Sequence, residues 1–203
     1  MSDQSPQGDR LLLVAFGLSG CAALGYEVLW TRLLSLGLGS ETLGVLGVLA
    51  GFFAGMALGA WVLHDRVRRS PDPLALFVRL ELIAAAFAVA SPWMLHGLMD
   101  TLAATGDSVS GPGVVRAILI GGALLLPGSF CLGATFAALA EDQRRRNASE
   151  PSGRGLARLY AANTIGATAG VLLTVHVVLP AVGMGMGAAV LAACGVMAVM
   201  VAR

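Results

Sequence analysis

A carboxylate, a guanidinium and two aromatic rings lie close together in an otherwise apolar stretch near the N-terminus. The stretch reads GCAALGYEVLWTRLLSLG over residues 20–37 and contains Tyr26, Glu27, Trp30 and Arg32. A charge at the centre of a bilayer costs at least about 2.5 kcal/mol, so we expect Glu27 to face protein or water and to have a partner. A carboxylate flanked by Tyr and Trp rings could hold a cationic amine through charge and cation–π attraction.

Two interpretations of Glu27 stay open at this point: a structural ion pair that fixes helix order, or a substrate or proton site in an internal cavity. Arg32 lies five positions further on, which is about 140° around a helix, so the two side chains do not share a face. The partner of Glu27 must therefore come from another helix. By estimated depth, the candidates are Arg116 and His176.

Other polar residues in apolar segments are weaker candidates. Tyr160 and Asn163 belong to a polar stripe in LYAANTIGATAG, which is predicted to bond between helices or to contact the same ligand as Glu27. Arg79 and Glu81 are expected at the cytoplasmic end of their segment. No Ser/His/Asp set, HExxH motif or pair of carboxylates can be assembled from the sequence, so we predict no catalytic residue, metal site or cofactor.

The composition indicates the class of protein. The chain has 203 residues, of which 57% are hydrophobic and 12% charged, and its mean hydropathy is +0.80. Soluble domains carry about 25% charged residues, so an all-α polytopic membrane protein is predicted. The net charge of +1 suggests no nucleic-acid partner. Six apolar segments of roughly membrane-spanning length follow a short tail at 1–10: 11–36, 42–63, 74–98, 113–139, 156–178 and 182–202.

The distribution of arginine predicts the orientation. Positive charge is concentrated in the loops HDRVRRS and EDQRRRNASEPSGRGLAR, while the loops between them are poor in Arg. The positive-inside rule then places both termini in the cytoplasm, with the chain in a bacterial inner membrane. The tetrapeptide ending at Cys21 has the form of a lipoprotein processing box, but the apolar run continues past it. We therefore expect a retained membrane helix rather than lipidation.

Glycines recur at spacings of three and four, which would form small-residue stripes on two helices. Such stripes allow helix backbones to approach closely in lipid, either within the chain or along a homodimer seam. The stripes are formed by Gly44, Gly47, Gly51, Gly55 and Gly59 in the second segment, and by Gly166 and Gly170 in the fifth.

Three motifs carry a resemblance to a known family. GYEVLWTRLLSLGLGS, LLLPGSFCLGATFAALA and GRGLARLYAANTIGATAGVLL resemble the membrane domain of the spermidine synthase-like integral membrane proteins, and the likeness covers residues 11–200. In full-length relatives a cytoplasmic aminopropyltransferase-like domain of Rossmann type follows. The chain to Arg203 contains neither its Gly-rich loop nor its acidic site, so we do not expect spermidine synthesis from this polypeptide.

A second resemblance is to the major facilitator superfamily, whose G-x-x-x-D-R-x-G-R-R motif follows its second helix. The corresponding loop here is WVLHDRVRR, in which Asp65, Arg66 and Arg69 fit, while Trp61 and Arg68 replace the two glycines. Six helices with this loop resemble half of such a transporter. Transporters of that class join two halves around a midplane site, so a homodimer or a partner protein is expected.

Three functions follow as hypotheses. The first is a non-catalytic module that binds or transports a small cationic, polyamine-like ligand, with Glu27, Tyr26, Trp30, Arg32, Tyr160 and Asn163 as its contacts. The alternative is a scaffold that anchors a separately encoded soluble enzyme or a secretion partner at the membrane. The third is an intramembrane enzyme with Glu27 as acid or base, which would need a second catalytic group.

Overall fold

The computed structural model describes residues 6–104, 112–146 and 153–203, and nearly all of them are helical. The helices are α1 (Pro6–Leu38), α2 (Glu41–Val62), α3 (His64–Arg69), α4 (Pro73–Ala104), α5 (Pro112–Arg146), α6 (Arg154–Leu173) and α7 (Leu179–Ala202), with one π-helical turn (Thr174–Val178) between α6 and α7. The prediction of an all-α chain is confirmed.

Five helical stretches in the described part of the chain are long and apolar enough to span a membrane. They are Gly8–Leu38, Glu41–Val62, Pro73–Thr101, Ile118–Arg146 and Arg154–Ala202, the last of which has 49 residues and includes both α6 and α7. This character is compatible with insertion into a bilayer.

Helix boundaries differ from the predicted segments mainly at the polar ends. Helix α1 begins at Pro6, so part of the expected tail at 1–10 is helical, while residues 1–5 lie outside the described residues. Helix α5 continues to Arg146 instead of ending at 139. Hydropathy marks where apolar residues stop, whereas Glu, Gln and Arg favour the helix and allow it to continue past that point.

Contacts between α1 and α6 show that the two helices run in the same direction. A Cβ added at Gly166 would meet the backbone of Gly17, and one added at Gly170 would meet the backbone of Cys21. A step of four residues along α6 therefore corresponds to a step of four residues in the same direction along α1. The two glycines allow direct backbone contact between α6 and α1.

Helix α7 returns along α1 in the opposite direction. Gly25 lies against Leu191, whereas Leu29, one turn further along α1, lies near Gly187. The reversal occurs at Gly183, whose φ of 71° and ψ of −175° interrupt the helix. A positive φ is unfavourable for residues with a Cβ, so glycine permits this turn.

The glycine stripe of α2 is covered within the chain. Each of its members lies against α1 or α5: Gly44 against Ser35, Gly47 against Leu34, Gly51 against Gly122, Gly55 against Ser129 and Gly59 against Phe130. Later glycines of α2 contact later residues of α5, so α2 and α5 run in the same direction. The stripe joins helices inside one molecule and is not an open seam for a second copy.

Helix α1 is the central element, since it packs against α2, α4, α6 and α7. Its inner side carries Tyr26 and Trp30, whose rings are stacked with centroids 5.8 Å apart. Trp30 also lies near Phe52 of α2 and Phe87 of α4, at centroid distances of 6.3 and 6.1 Å. This aromatic group forms the middle of the larger buried core.

Candidate functional site

One face of α1 carries Glu27 between two helix contacts. Gly20, seven positions before it, lies against Asn163 of α6, and Leu34, seven positions after it, lies against Gly47 of α2. Seven residues are two helical turns to within about 20°, so these three α1 residues share a face. Helices α2 and α6 do not contact one another in the described part of the structure. Glu27 therefore lies where α1 is left uncovered between them.

The Glu27 side chain is half-buried. Among the residues that the structure describes, no hydrogen bond or ion pair to this carboxylate is formed. Thr31, one turn further on the same side, is also half-buried. We call this side of α1, defined by Gly20, Glu27 and Thr31, the Glu27 face; Gly20 is covered by α6, whereas Glu27 and Thr31 are half-buried.

Tyr26 and Trp30 do not line the Glu27 face, which corrects the expected aromatic wall. Their exposed fractions are 1% and 0%, because adjacent helical positions point about 100° apart and both rings turn into the core. The indole Nε1 of Trp30 donates a hydrogen bond to Ser91 Oγ at 2.7 Å. Cation–π attraction from these rings is therefore not available to a cation at Glu27.

Arg32 and the expected ion-pair partners also lie away from Glu27. Arg32 Nη1 is 3.7 Å from Oε1 of Glu41, and both side chains are largely exposed. His176 is exposed on the π-helical turn, and Arg116 is exposed near the start of α5. Among the interactions described, neither residue forms an ion pair with Glu27.

Of the two α6 residues predicted to contact the ligand, Asn163 approaches the Glu27 face. Its side-chain oxygen would lie 2.6 Å from a Cβ built on Gly20, about 10 Å along α1 from the level of Glu27. Tyr160 is 64% exposed and packs edge-on against Phe136 of α5, with centroids 6.4 Å apart. The structure therefore brings Asn163, but not Tyr160, towards Glu27.

The loop motif lies in and around α3. Arg69 Nη2 is 3.9 Å from Asp65 Oδ2 across one helical turn, and both side chains are exposed. A pocket of about 660 Å³ is lined by Asp65, Arg66 and Arg69. Arg145 of α5 donates a hydrogen bond to the backbone oxygen of Ser70 at 2.8 Å. This hydrogen bond links the connection between α3 and α4 to α5.

Glu81 was predicted at the cytoplasmic end of its helix, but it lies in the interior of the helix bundle. Glu81 is only 1% exposed and accepts a hydrogen bond from Ser19 Oγ to its Oε2 at 2.9 Å. It occupies the ninth position of α4, which begins at Pro73, and is therefore about 12 Å from that end. In the sequence, the only sign of this burial is one acidic residue inside the apolar run that follows Pro73.

Glu81 and Tyr26 meet beside a glycine of α7. A Cβ built on Gly195 would lie 3.2 Å from Glu81 Oε1 and 3.6 Å from the hydroxyl of Tyr26. The Tyr26 hydroxyl is buried and has no hydrogen-bond partner among the described residues. We call Ser19, Tyr26 and Glu81, with Gly195 beside them, the inner polar cluster.

Metal binding is not indicated by any group of three or more His, Cys, Asp or Glu residues in the described ranges. Comparison with protein-family models, with characterised proteins and with solved structures finds no match to the chain. The two carboxylates differ in their surroundings. Glu27 is open to a cation from outside the chain, whereas Glu81 is enclosed.

Proposed function

We propose that the chain is an integral membrane protein with six crossings and both termini in the cytoplasm of a bacterium. Opposite directions of α6 and α7 along α1 support two crossings within the stretch Arg154–Ala202. Arginines at the ends of α3 and α5 lie on the side that the positive-inside rule assigns to the cytoplasm.

We propose further that this membrane domain binds or transports a small organic cation of the polyamine type at Glu27. One observation carries the proposal: a half-buried carboxylate in the middle of an apolar helix has no partner among the described residues. An ionisable residue inside a membrane is costly and is retained where it serves a ligand or ion pathway. A cation at the Glu27 face would remove this cost.

The contacts of the cation would be polar rather than aromatic. Thr31 and Asn163 offer oxygen atoms along the Glu27 face, and an ammonium group donates hydrogen bonds to such acceptors. An extended diamine could reach from Glu27 towards Asn163, since the two levels are about 10 Å apart along α1. The sequence resemblance to spermidine synthase-like membrane domains favours the same class of ligand.

The proposal is tested by the thermal stability of the purified protein in detergent with and without spermidine. A ligand that binds only the folded state stabilises it by about 2.7 kcal/mol at one hundred times its Kd. We expect spermidine to raise the unfolding temperature of the wild type and of Glu41→Gln, but not that of Glu27→Gln. Glu41 is a matched control because its carboxylate is exposed and pairs with Arg32.

Two results would contradict cation binding at Glu27. One is an equal thermal shift in the wild type and in Glu27→Gln, which would place the ligand elsewhere. The other is no shift in the wild type with spermidine, putrescine or cadaverine at millimolar concentration.

A second candidate is a scaffold in which another membrane chain covers the Glu27 face. The observation that favours it is the same unpartnered carboxylate, which a donor on a second copy or a partner helix would satisfy. Molar mass in detergent by light scattering distinguishes the two. A scaffold predicts an oligomer that Glu27→Gln dissociates, whereas a ligand site predicts the same mass for both proteins.

A further inference from the structure

A buried carboxylate without a cation is the feature of the inner polar cluster that a structural role does not explain. Glu81 is 1% exposed and has one hydrogen bond, donated by Ser19 at 2.9 Å. In the described part of the chain, no Arg or His lies within ion-pair distance of it, and its neighbour Arg79 points outwards and is exposed.

Among the described residues, the titratable groups around Glu81 come from three other helices, and none of them is a base. They are Tyr26 of α1, Cys131 of α5 and Cys194 of α7. A phenol and two thiols are neutral or negative and cannot compensate a carboxylate. A buried charge without compensation is strongly unfavourable, and an acid avoids the cost by binding a proton.

We propose that the inner polar cluster is a proton-binding site, in which Glu81 takes up and releases one proton inside the helix bundle. This site is separate from the Glu27 face and does not depend on cation binding there. It would supply a protonation step to a membrane domain whose other carboxylate is open to its surroundings.

The geometry provides a hydrogen-bond partner for each form of the acid. Glu81 Oε1 and the Tyr26 hydroxyl lie within 3.2 and 3.6 Å of one point beside Gly195. In the protonated form, Glu81 Oε1–H can donate to the Tyr26 oxygen once a side-chain movement brings the two oxygens to hydrogen-bond distance, while Ser19 continues to donate to Oε2. After the proton leaves, the Tyr26 O–H can turn and donate to the carboxylate instead.

We expect α7 to move when Glu81 binds or releases its proton. Gly195 places the α7 backbone directly against both oxygens, so the two forms of the acid present different charge to the same helix. The ionised form has two hydroxyl donors but no countercharge among the described residues. Release of the proton should therefore loosen the contact of α7 with α1 and α4.

The test is infrared spectroscopy of the purified protein, which detects the carbonyl band of a protonated carboxylic acid. We expect the wild type to show such a band at neutral pH, and its loss as the pH is raised. Glu81→Gln should lose this band, and Glu27→Gln should retain it. Tyr26→Phe and Ser19→Ala leave the acid in place but should shift the band, because each removes one hydrogen-bond partner.

The result that overturns the proposal is the absence of a protonated-acid band that depends on Glu81. If Glu81→Gln does not fold, unchanged band positions in both Tyr26→Phe and Ser19→Ala would also overturn it. These measurements contain no added cation, so their failure is distinguishable from failure of the spermidine experiment.

Discussion

Substitution of Gly51 tests the backbone-to-backbone contact between α2 and α5. A Cβ at this position would lie 2.7 Å from the Cα of Gly122 and would also meet its carbonyl oxygen. Carbon atoms in contact prefer a separation of about 3.5–4.0 Å, so α2 and α5 must move apart by roughly 1 Å. The obstacle is backbone and cannot be relieved by a rotamer change. Overpacking of this kind costs about 1–3 kcal/mol.

The expected result is a lower unfolding temperature for Gly51→Ala in detergent. Alanine itself favours a helix over glycine by up to about 1 kcal/mol, so the net loss should be about 1–2 kcal/mol. For a chain of this size that corresponds to a decrease of roughly 2–8 °C. Circular dichroism at 222 nm or a thiol-reactive dye would follow the transition.

Gly97→Ala is the matched control, because a Cβ at Gly97 of α4 would meet nothing within 4 Å. It should be neutral or slightly stabilising, since it gains helix propensity without a clash. The reasoning is refuted if both alanine variants have the same unfolding temperature, which would mean that α2 and α5 do not pack backbone to backbone.

Two further predictions concern single hydrogen-bonding groups. Trp30→Phe removes the indole donor to the buried Ser91 hydroxyl and leaves a cavity at a fully buried position, so it should lower stability by about 1–3 kcal/mol. Trp61→Phe at an exposed position should not change stability, and thermal unfolding compares the two variants. Arg145→Gln removes the donor to Ser70 and should increase amide hydrogen exchange between α3 and α4 without changing exchange in α7; equal exchange in both proteins would contradict this role.

Hydropathy and small-residue spacing predicted much of the fold. Apolar runs located the helices, because about 20 consecutive apolar residues are typical of a helix long enough to span a bilayer. The spacing of glycines in α2 predicted a packing face, but not which helix would cover it. That choice depends on matching small residues such as Gly122, which lies far away in the chain. The local pattern of α2 therefore could not identify α5 as its partner helix.

The surroundings of Glu27 were predicted less well, for a geometric reason. Sequence proximity suggested that Tyr26 and Trp30 would flank the carboxylate, yet a helix separates adjacent side chains by about 100°. Whether the rings or the acid face the core depends on where the neighbouring helices lie. The aromatic rings bury more apolar area, so they occupy the core and leave Glu27 at its edge.

Glu27 and Glu81 differ in access, and access determines what each can bind. Glu27 is half-buried between two helices that do not touch, so an organic cation or a side chain from another protein can reach it. Glu81 is only 1% exposed and lies among α1, α4 and α7, with its Oε1 3.2 Å from a Cβ built on Gly195. A proton needs no additional space, because it becomes part of a hydrogen bond between groups already in place. A glutamate side chain thus suits cation binding at position 27 and proton binding at position 81, because the neighbouring helices leave the first accessible and enclose the second.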